Sequence, residues 1–90
     1  MKKIYKYKLN PVLGEQHLTI PKTRTFLAFD FQGNTPVIWA MVETDSVIDI
    51  VYVSLHFTGD AVGPPMYTHL GTATNSDGLV WHLFTLPRTF

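Results

Sequence analysis

The chain has 90 residues, no cysteine, and a formal net charge of zero with its histidines neutral. Hydrophobic residues make up 46% of the chain and charged residues only 16%, which excludes an intrinsically disordered protein. The lack of cysteine excludes disulfides and thiolate metal sites, and the balanced charge argues against a protein that binds duplex nucleic acid.

The first half of the chain contains four predicted strands, and the first and third of them show the period-2 alternation of β-strands. Lysines alternate with tyrosines in the first segment, a pattern typical of an exposed edge strand. In the third segment, Leu27, Phe29 and Phe31 are predicted to form one apolar face. The turn residues Gly33 and Asn34 join this segment to the next as a hairpin. The four predicted strands cover residues 3–9, 17–20, 25–32 and 37–42.

The second half of the chain adds three more predicted strands. The longest, over 48–58, alternates apolar residues at 51, 53, 55 and 57 with a second row of more polar side chains. A sixth strand is predicted over 67–73, after a loop rich in glycine and proline. A turn at 75–78 leads into the seventh strand, over 79–86, which is apolar on both faces.

Seven short strands separated by turn signals predict an all-β fold, either a small antiparallel sandwich or a partly closed barrel. The length predicts a single β domain over residues 1–90. No apolar run approaches the length of a membrane span, and Tyr5 to Lys8 interrupt any signal-peptide core. We therefore expect a protein that does not bind a membrane.

Short motifs are spread over most of the chain: KKIYKY at 2–7, LTIP at 18–21, WAMV at 39–42, FTG at 57–59, LGT at 70–72 and GLVWHLF at 78–84. In their order and spacing they resemble a family of small phage and prophage proteins of unassigned function. The chain departs from that pattern at Lys8, where relatives more often carry proline, and in its tail at 87–90. The resemblance implies a β fold and a phage protein in the host bacterial cytoplasm. It brings no catalytic residues.

The four histidines are candidates for a metal site, and the last three are spaced thirteen residues apart: His17, His56, His69 and His82. Three histidines bind zinc only if they converge, and equal spacing in neighbouring strands does not by itself cause convergence. His82 lies between the apolar Val80 and Phe84, so it is expected to be a packed and hydrogen-bonded side chain. No metal and no cofactor is predicted.

The sequence carries no convincing catalytic set, so a non-enzymatic protein is expected. Ser54 and His56 share a strand face, with Asp60 just beyond. Neighbours two apart on a strand lie about 7 Å apart, which is too far for a direct serine–histidine hydrogen bond without a bend. There is also no nucleophile elbow and no phosphate-binding glycine loop.

A row of hydroxyl, imidazole and aromatic side chains on the strand at 48–58 is the candidate ligand-binding surface. Gly59 allows close backbone approach, and Asp60 can accept hydrogen bonds from an amine or a ribose hydroxyl. Lys6 and Arg24 are candidate partners for a phosphate. An ordinary solvated sheet face explains the same row equally well. The candidate residues are Tyr52, Ser54, His56, Thr58, Gly59, Asp60, Lys6 and Arg24.

Both tryptophans are candidates for stacking on a base. Core packing is the favoured interpretation for Trp81, and the two interpretations stay open for Trp39. The high aromatic content of a chain with so small a core predicts an exposed apolar surface and a homo-oligomer.

The leading hypothesis is a phage counter-defence protein that sequesters a small nucleotide signal. The first alternative is a protein that binds and inhibits a host defence enzyme or nuclease, and the second is a virion or assembly accessory protein. A sequestering protein is expected to have a concave site with converging cationic or histidine side chains. An inhibitor is expected to have a broad apolar or charged surface or an open strand edge.

Overall fold

The computed structural model describes residues 1–61 and 68–86 of the chain. Strands are its only regular secondary structure in these ranges, and the predicted all-β fold is confirmed. No helix in the described residues is long and apolar enough to cross a membrane. The seven strands are β1 (Lys2–Lys8), β2 (Gly14–Pro21), β3 (Arg24–Gln32), β4 (Thr35–Glu43), β5 (Ile48–Phe57), β6 (His69–Thr74) and β7 (Val80–Thr85).

The strands form two antiparallel sheets, which is the sandwich form of the predicted fold. The three-stranded sheet has the order β1-β4-β3, and the four-stranded sheet has the order β2-β5-β7-β6. The predicted hairpin is confirmed, because β3 pairs with β4 across Gly33, whose φ of 63° is in the region that favours glycine. The edge strands are β1 and β3 in the smaller sheet and β2 and β6 in the larger one, and β1 is the lysine-rich edge.

Alternate side chains from both sheets meet in one apolar core between them. Ile38 of β4, Leu55 of β5 and Leu83 of β7 are completely buried in it. Trp81 is only 5% exposed and belongs to the same core, as predicted. Its ring lies 4.4 Å from that of Phe57, centroid to centroid. Burial of one such side chain stabilises the fold by about 1.5–3 kcal/mol, so these inward positions fix which face of each strand points outward.

The third strand departs from its predicted alternation at Leu27. A β-bulge between Phe26 and Ala28 shifts the register against β4. The bulge turns Phe26 toward the core, while Leu27 remains 49% exposed. The prediction that Leu27 shares an apolar face with Phe29 and Phe31 is therefore wrong, because one extra residue exchanges the two faces of a strand.

The turn that precedes β7 is built by Asn75, as the turn signal at 75–78 predicted. The side-chain oxygen of Asn75 accepts hydrogen bonds from the backbone N–H groups of Asp77 and Leu79, both at 3.0 Å. Gly78 completes the turn with a φ of 80°. This turn sets the start of β7 and hence the alignment of β7 with β6.

Several predicted boundaries differ from the observed ones. The second strand is longer than predicted, since it runs from Gly14 to Pro21, and the sixth begins at His69. The predicted start of the sixth strand at Tyr67, the loop at 63–65 and the tail at 87–90 lie outside the described residues.

Candidate functional site

The candidate site is the outer surface of the four-stranded sheet, which we call the histidine face. Because successive side chains of a strand point to opposite sides, burial of one row in the core leaves the other row outside. The central strands β5 and β7 supply the middle of this surface, and β2 and β6 supply its margins. Its defining residues are His17, Tyr52, Ser54, His56, His69, Thr72, His82 and Phe84.

The strand register brings all four histidines of the chain to this one surface. His56 of β5 lies directly opposite His82 of β7. His17 lies opposite Tyr52, and His69 lies opposite Phe84. Residues directly opposite each other on antiparallel strands share a face, so these three pairs project together.

The histidine face nevertheless does not form a metal centre in this arrangement. No group of three or more histidine, aspartate or glutamate side chains that could hold a metal ion occurs within residues 1–61 and 68–86. The ring centroids of His69 and His82 are 6.5 Å apart, and threonine hydroxyls form hydrogen bonds with ring nitrogens of both residues. The shared face therefore presents histidines side by side rather than converging on one point.

Ser54, His56 and Asp60 form a continuous hydrogen-bonded line. Ser54 Oγ and His56 Nε2 lie 2.7 Å apart, and His56 Nδ1 lies 3.2 Å from Asp60 Oδ2. The expectation that Ser54 and His56 are too far apart for a direct hydrogen bond is wrong. The spacing of about 7 Å applies to the strand positions, whereas the long imidazole side chain spans the distance to its neighbour.

A second hydrogen-bonded line crosses the neighbouring strands. Thr58 Oγ1 lies 2.8 Å from His82 Nε2, and Thr72 Oγ1 lies 2.9 Å from His82 Nδ1. The hydroxyl of Thr72 also lies 2.8 Å from His69 Nε2. Both ring nitrogens of His82 are therefore satisfied by threonine hydroxyls, as expected for a packed and hydrogen-bonded histidine.

Aromatic rings lie beside these two polar lines. The half-buried ring of Phe84 is 5.3 Å from the ring of His69 and 6.1 Å from that of His56, measured between centroids. The rings of His17 and Tyr52 are 6.2 Å apart at the margin of the sheet. Such spacings fall within the range of favourable ring–ring contacts. The surface thus alternates flat rings with hydrogen-bonding groups.

The histidine face has no lysine or arginine of its own. None occurs in the sequences of β2, β5, β6 or β7. Acidic groups do border the surface, because Glu15 lies opposite Ser54 and Asp60 follows the end of β5. A ligand held there meets imidazoles, hydroxyls and carboxylates before it meets a fixed positive charge.

Lys6 is not brought to this surface. It lies on β1 in the three-stranded sheet, opposite Trp39 of β4. Its Nζ donates a hydrogen bond to Gln32 Oε1 at 2.9 Å. The structure thus separates Lys6 from the candidate residues on β5 and the turn that follows it, because the two sheets turn their outer surfaces in opposite directions.

Arg24 reaches the edge of the site through a shallow depression. Its Nη1 donates to the carbonyl oxygens of Pro21 and Lys22, each at 3.2 Å, and lies 3.4 Å from Asp49 Oδ2. The depression has a volume of about 160 Å³. It is lined by Arg24, Asp49, Ile50, Val51, Tyr52 and Leu86. Arg24 therefore shares one cavity with Tyr52, the first residue of the predicted row.

The turn after β5 places the remaining predicted residues. Gly59 adopts a φ of 86°, which favours glycine, and the N–H of Asp60 donates to the carbonyl oxygen of Phe57 at 3.1 Å. This turn directs the carboxylate of Asp60 back to His56. Tyr52, Ser54, His56, Thr58, Gly59 and Asp60 are thus gathered along one strand and its turn.

Two groups outside the histidine face have shifted pKa values. Burial raises the pKa of the Tyr7 phenol above its usual value of 10.0, and the nearby Tyr5 adds to the shift. The Met1 ammonium group donates hydrogen bonds to the carboxylates of Glu43 and Asp45, and these bonds raise its pKa above 8.0. Neither group contacts the candidate site, so these shifts bear on stability rather than on binding.

Comparison with protein families gives a match over almost the whole chain. The model of a domain of unknown function, DUF7352, covers residues 1–89. The chain belongs to the DUF7352 family. No curated protein matches the chain, and no solved structure does. The function of the DUF7352 family is unassigned, as is that of the small phage and prophage proteins that the sequence motifs resemble. The description of the family does not mention a phage origin.

Sequence reasoning on this DUF7352 domain missed five of the eight residues that define the histidine face. The predicted ligand-binding residues did not include five that share a surface with Tyr52 and His56: His17, His69, Thr72, His82 and Phe84. The outward row of side chains on β5 was readable from its apolar alternation, whereas the bulge in β3 breaks the same pattern at Leu27. The order of the strands in the sheet, which makes these rows neighbours, was not readable from that pattern.

Proposed function

We propose that this DUF7352 domain is a non-enzymatic phage accessory protein that binds a small nucleotide-like ligand on its histidine face. The observation that carries the proposal is the alternation of flat rings and hydrogen-bonding groups on one open sheet surface. Nucleotides combine a flat base with a sugar rich in hydroxyls, so they match both kinds of group. Binding is stoichiometric and needs no turnover.

The base of the ligand would stack near Phe84. Aromatic side chains on the face of a four-stranded sheet are a known way to hold bases, because every base has a π surface. His56 and His69 flank Phe84 on the two neighbouring strands. The hydroxyls of Thr58 and Thr72 supply donors and acceptors beside that position.

The phosphate would lie toward the depression that Arg24 shares with Tyr52. From His56 to Tyr52 the strand advances by about 13 Å, which is comparable to the length of a mononucleotide. The guanidinium group carries five N–H donors, so Arg24 can bind a phosphate oxygen while it keeps its contacts with backbone carbonyls. A ligand with one or two phosphates suits this arrangement better than a polyphosphate, because Glu15 and Asp60 border the rest of the surface.

The biological setting that we propose is counter-defence in the host bacterial cytoplasm. It rests on the resemblance of the sequence motifs to small phage and prophage proteins. A protein that captures a host nucleotide signal lowers its free concentration without a reaction. We also propose a homo-oligomer, because a depression of about 160 Å³ is smaller than a typical enclosed ligand site of about 300–1,000 Å³. A second copy laid over the open sheet surface would complete the enclosure.

Native mass spectrometry with a panel of linear and cyclic mononucleotides and dinucleotides tests this proposal. We expect the wild-type protein to retain a nucleotide. Phe84→Ala should lower the affinity by at least about tenfold, which is the size of loss expected when the aromatic side chain under one stacked base is removed. Arg24→Gln should weaken nucleotides more than the corresponding nucleosides. Lys6→Gln is the matched control, because Lys6 does not line the depression and instead donates a hydrogen bond to Gln32.

Retention of no nucleotide in the panel would contradict the proposal. So would retention that Lys6→Gln abolishes and Phe84→Ala leaves unchanged. Circular dichroism on each variant separates loss of binding from loss of fold.

A second candidate function is a protein-binding inhibitor, and the outer surface of the three-stranded sheet favours it. Ile4 is 63% exposed and Leu27 is 49% exposed there, beside the half-buried Trp39. The edge strand β1 also offers its backbone for β-augmentation by a partner. Capture of a host enzyme that Trp39→Ser abolishes would support this function, whereas high-order assemblies that purify with virions would support an accessory role in the particle.

A further inference from the structure

The hydrogen-bonded line of Ser54, His56 and Asp60 has the connectivity of a nucleophile, its base and an orienting carboxylate. Ser54 Oγ is 2.7 Å from His56 Nε2, and the other ring nitrogen, Nδ1, is 3.2 Å from Asp60 Oδ2. These are the two contacts by which a histidine takes a proton from a serine while a carboxylate holds its ring. We propose that Ser54 is a nucleophile that accepts a small acyl group from an activated ester.

The chemical roles follow from which atoms can donate. An ionised carboxylate only accepts hydrogen bonds, so Asp60 fixes the proton of the neutral imidazole on Nδ1 of His56. Nε2 is then free to accept the proton of the Ser54 hydroxyl. Asp60 is a positioning residue, since it acts on Ser54 only through His56.

The surroundings of Ser54 limit the acyl group to a small one. Ser54 is only 4% exposed and lies between the longer side chains of Tyr52 and His56 along its strand. Glu15 and Phe84 lie opposite it on the two neighbouring strands. A short side chain among four long ones is the low point of a sheet surface, so a slender acyl group can reach its oxygen and a bulky one cannot.

The same surroundings predict acylation without rapid turnover. Strand β5 is hydrogen-bonded on both sides, to β2 and to β7, so its backbone N–H groups near Ser54 are committed to the sheet. An oxyanion hole made of free backbone N–H groups is therefore not present at Ser54, and such donors usually supply much of the rate of acyl transfer. The expected product is one stable acyl group on each chain.

The proposed step balances with p-nitrophenyl acetate as the acyl donor. The Ser54 hydroxyl gives its proton to His56 Nε2, and Oγ forms a bond to the carbonyl carbon. The bond from that carbon to the phenolic oxygen then breaks, and p-nitrophenolate leaves with the electron pair. His56 returns its proton to solvent, and Ser54 is left as an acetyl ester.

The test is to incubate the intact protein with p-nitrophenyl acetate and, separately, with a small alkyl fluorophosphonate. We expect a burst of one equivalent of p-nitrophenolate per chain, and peptide mapping should place both adducts on Ser54. Ser54→Ala should abolish the burst. Ser76→Ala is the matched control, because it removes a serine from an exposed turn far from β5 in the sequence.

Three further variants distinguish chemistry from structure. His56→Gln should slow acylation by about 100-fold, the size of a general-base contribution. Asp60→Asn should slow it by roughly tenfold, less than for a buried triad because the Asp60 side chain is 34% exposed, and Asp60→Glu should restore part of the rate. A merely structural role of Asp60 would leave the rate unchanged in variants that stay folded.

Absence of any adduct at Ser54, under conditions that label a serine hydrolase added as a positive control, overturns the proposal. Adducts found only on other residues do the same. The nucleotide-binding measurement is independent of this result, because it reads retained mass without a covalent bond. Failure of either proposal is therefore visible separately.

Discussion

Gly71 of β6 lies so close to Phe29 of β3 that a Cβ atom built on the glycine would sit 2.8 Å from the Cβ of Phe29. The two residues belong to different sheets, so this contact sets the distance between the sheets at one side of the sandwich. The close approach explains why a glycine occurs within a predicted strand, where it would otherwise weaken the sheet.

Replacement of Gly71 by alanine should destabilise the protein by about 1–3 kcal/mol, because the added methyl group forces the sheets apart. Urea denaturation followed by circular dichroism measures this change. Thr74→Ala, at an exposed position of the same strand, is the control and should cost much less. Wild-type stability of the Gly71→Ala variant would mean that the sheets are more widely spaced here.

Leu27 and Leu83 should contribute unequally to the stability of the protein, because the bulge in β3 leaves Leu27 outside the core. Leu83→Ala should cost about 2–5 kcal/mol because Leu83 is completely buried. Leu27→Ala should change the free energy of unfolding by at most about 0.5 kcal/mol, since the bulge leaves Leu27 at the surface. Equal losses in a pair of denaturation curves would show that Leu27 points into the core after all.

The two tryptophans should differ in fluorescence. In Trp39→Phe the remaining indole of Trp81 is buried, so its emission should be blue-shifted and protected from acrylamide. In Trp81→Phe the half-buried Trp39 should emit at longer wavelength and be quenched more easily. The reverse assignment would contradict the placement of these two strands.

Tyr7 should make the stability of the protein depend on alkaline pH. Because burial raises the pKa of Tyr7 in the folded state above 10.0, the neutral phenol is favoured by folding. This contribution is fully present below pH 10.0 and is lost as the pH rises through the higher folded-state value. Urea unfolding at several pH values from neutral upward should show a steeper alkaline loss for the wild type than for Tyr7→Phe. Parallel pH dependences of the free energy of unfolding for the wild type and Tyr7→Phe would contradict this prediction.

The hydrogen bonds of His56 predict one tautomer. With Asp60 ionised and the ring neutral, the proton should lie on Nδ1, and long-range ¹H–¹⁵N correlation spectra can assign it. Asp60→Asn removes the obligate acceptor and should shift the tautomer balance. A proton on Nε2 in the wild type would mean that His56 donates to Ser54 instead, and this would also remove the basis for Ser54 activation.

The sequence predicted more of the fold than of the site. Alternation of apolar residues in β5 correctly indicated which side chains are buried, and the glycine and asparagine turns correctly separated the strands. The predicted position of Leu27 was wrong because a bulge adds one residue that no alternation pattern can show in advance. The prediction that Ser54 and His56 are too far apart for a hydrogen bond was wrong for a different reason. It rested on the spacing of the two strand positions, whereas the length of the histidine side chain decides the contact.

The sequence by itself determined that the chain is all-β, where most strands lie, and which row of β5 is apolar, because these properties depend on local alternation and turn chemistry. Only the tertiary structure decided which rows are neighbours. The order β2-β5-β7-β6 places four histidines from distant parts of the chain on one surface and moves Lys6 to the other sheet. Pairing between strands far apart in sequence is selected by the free energy of the whole core, so a local pattern does not reveal it.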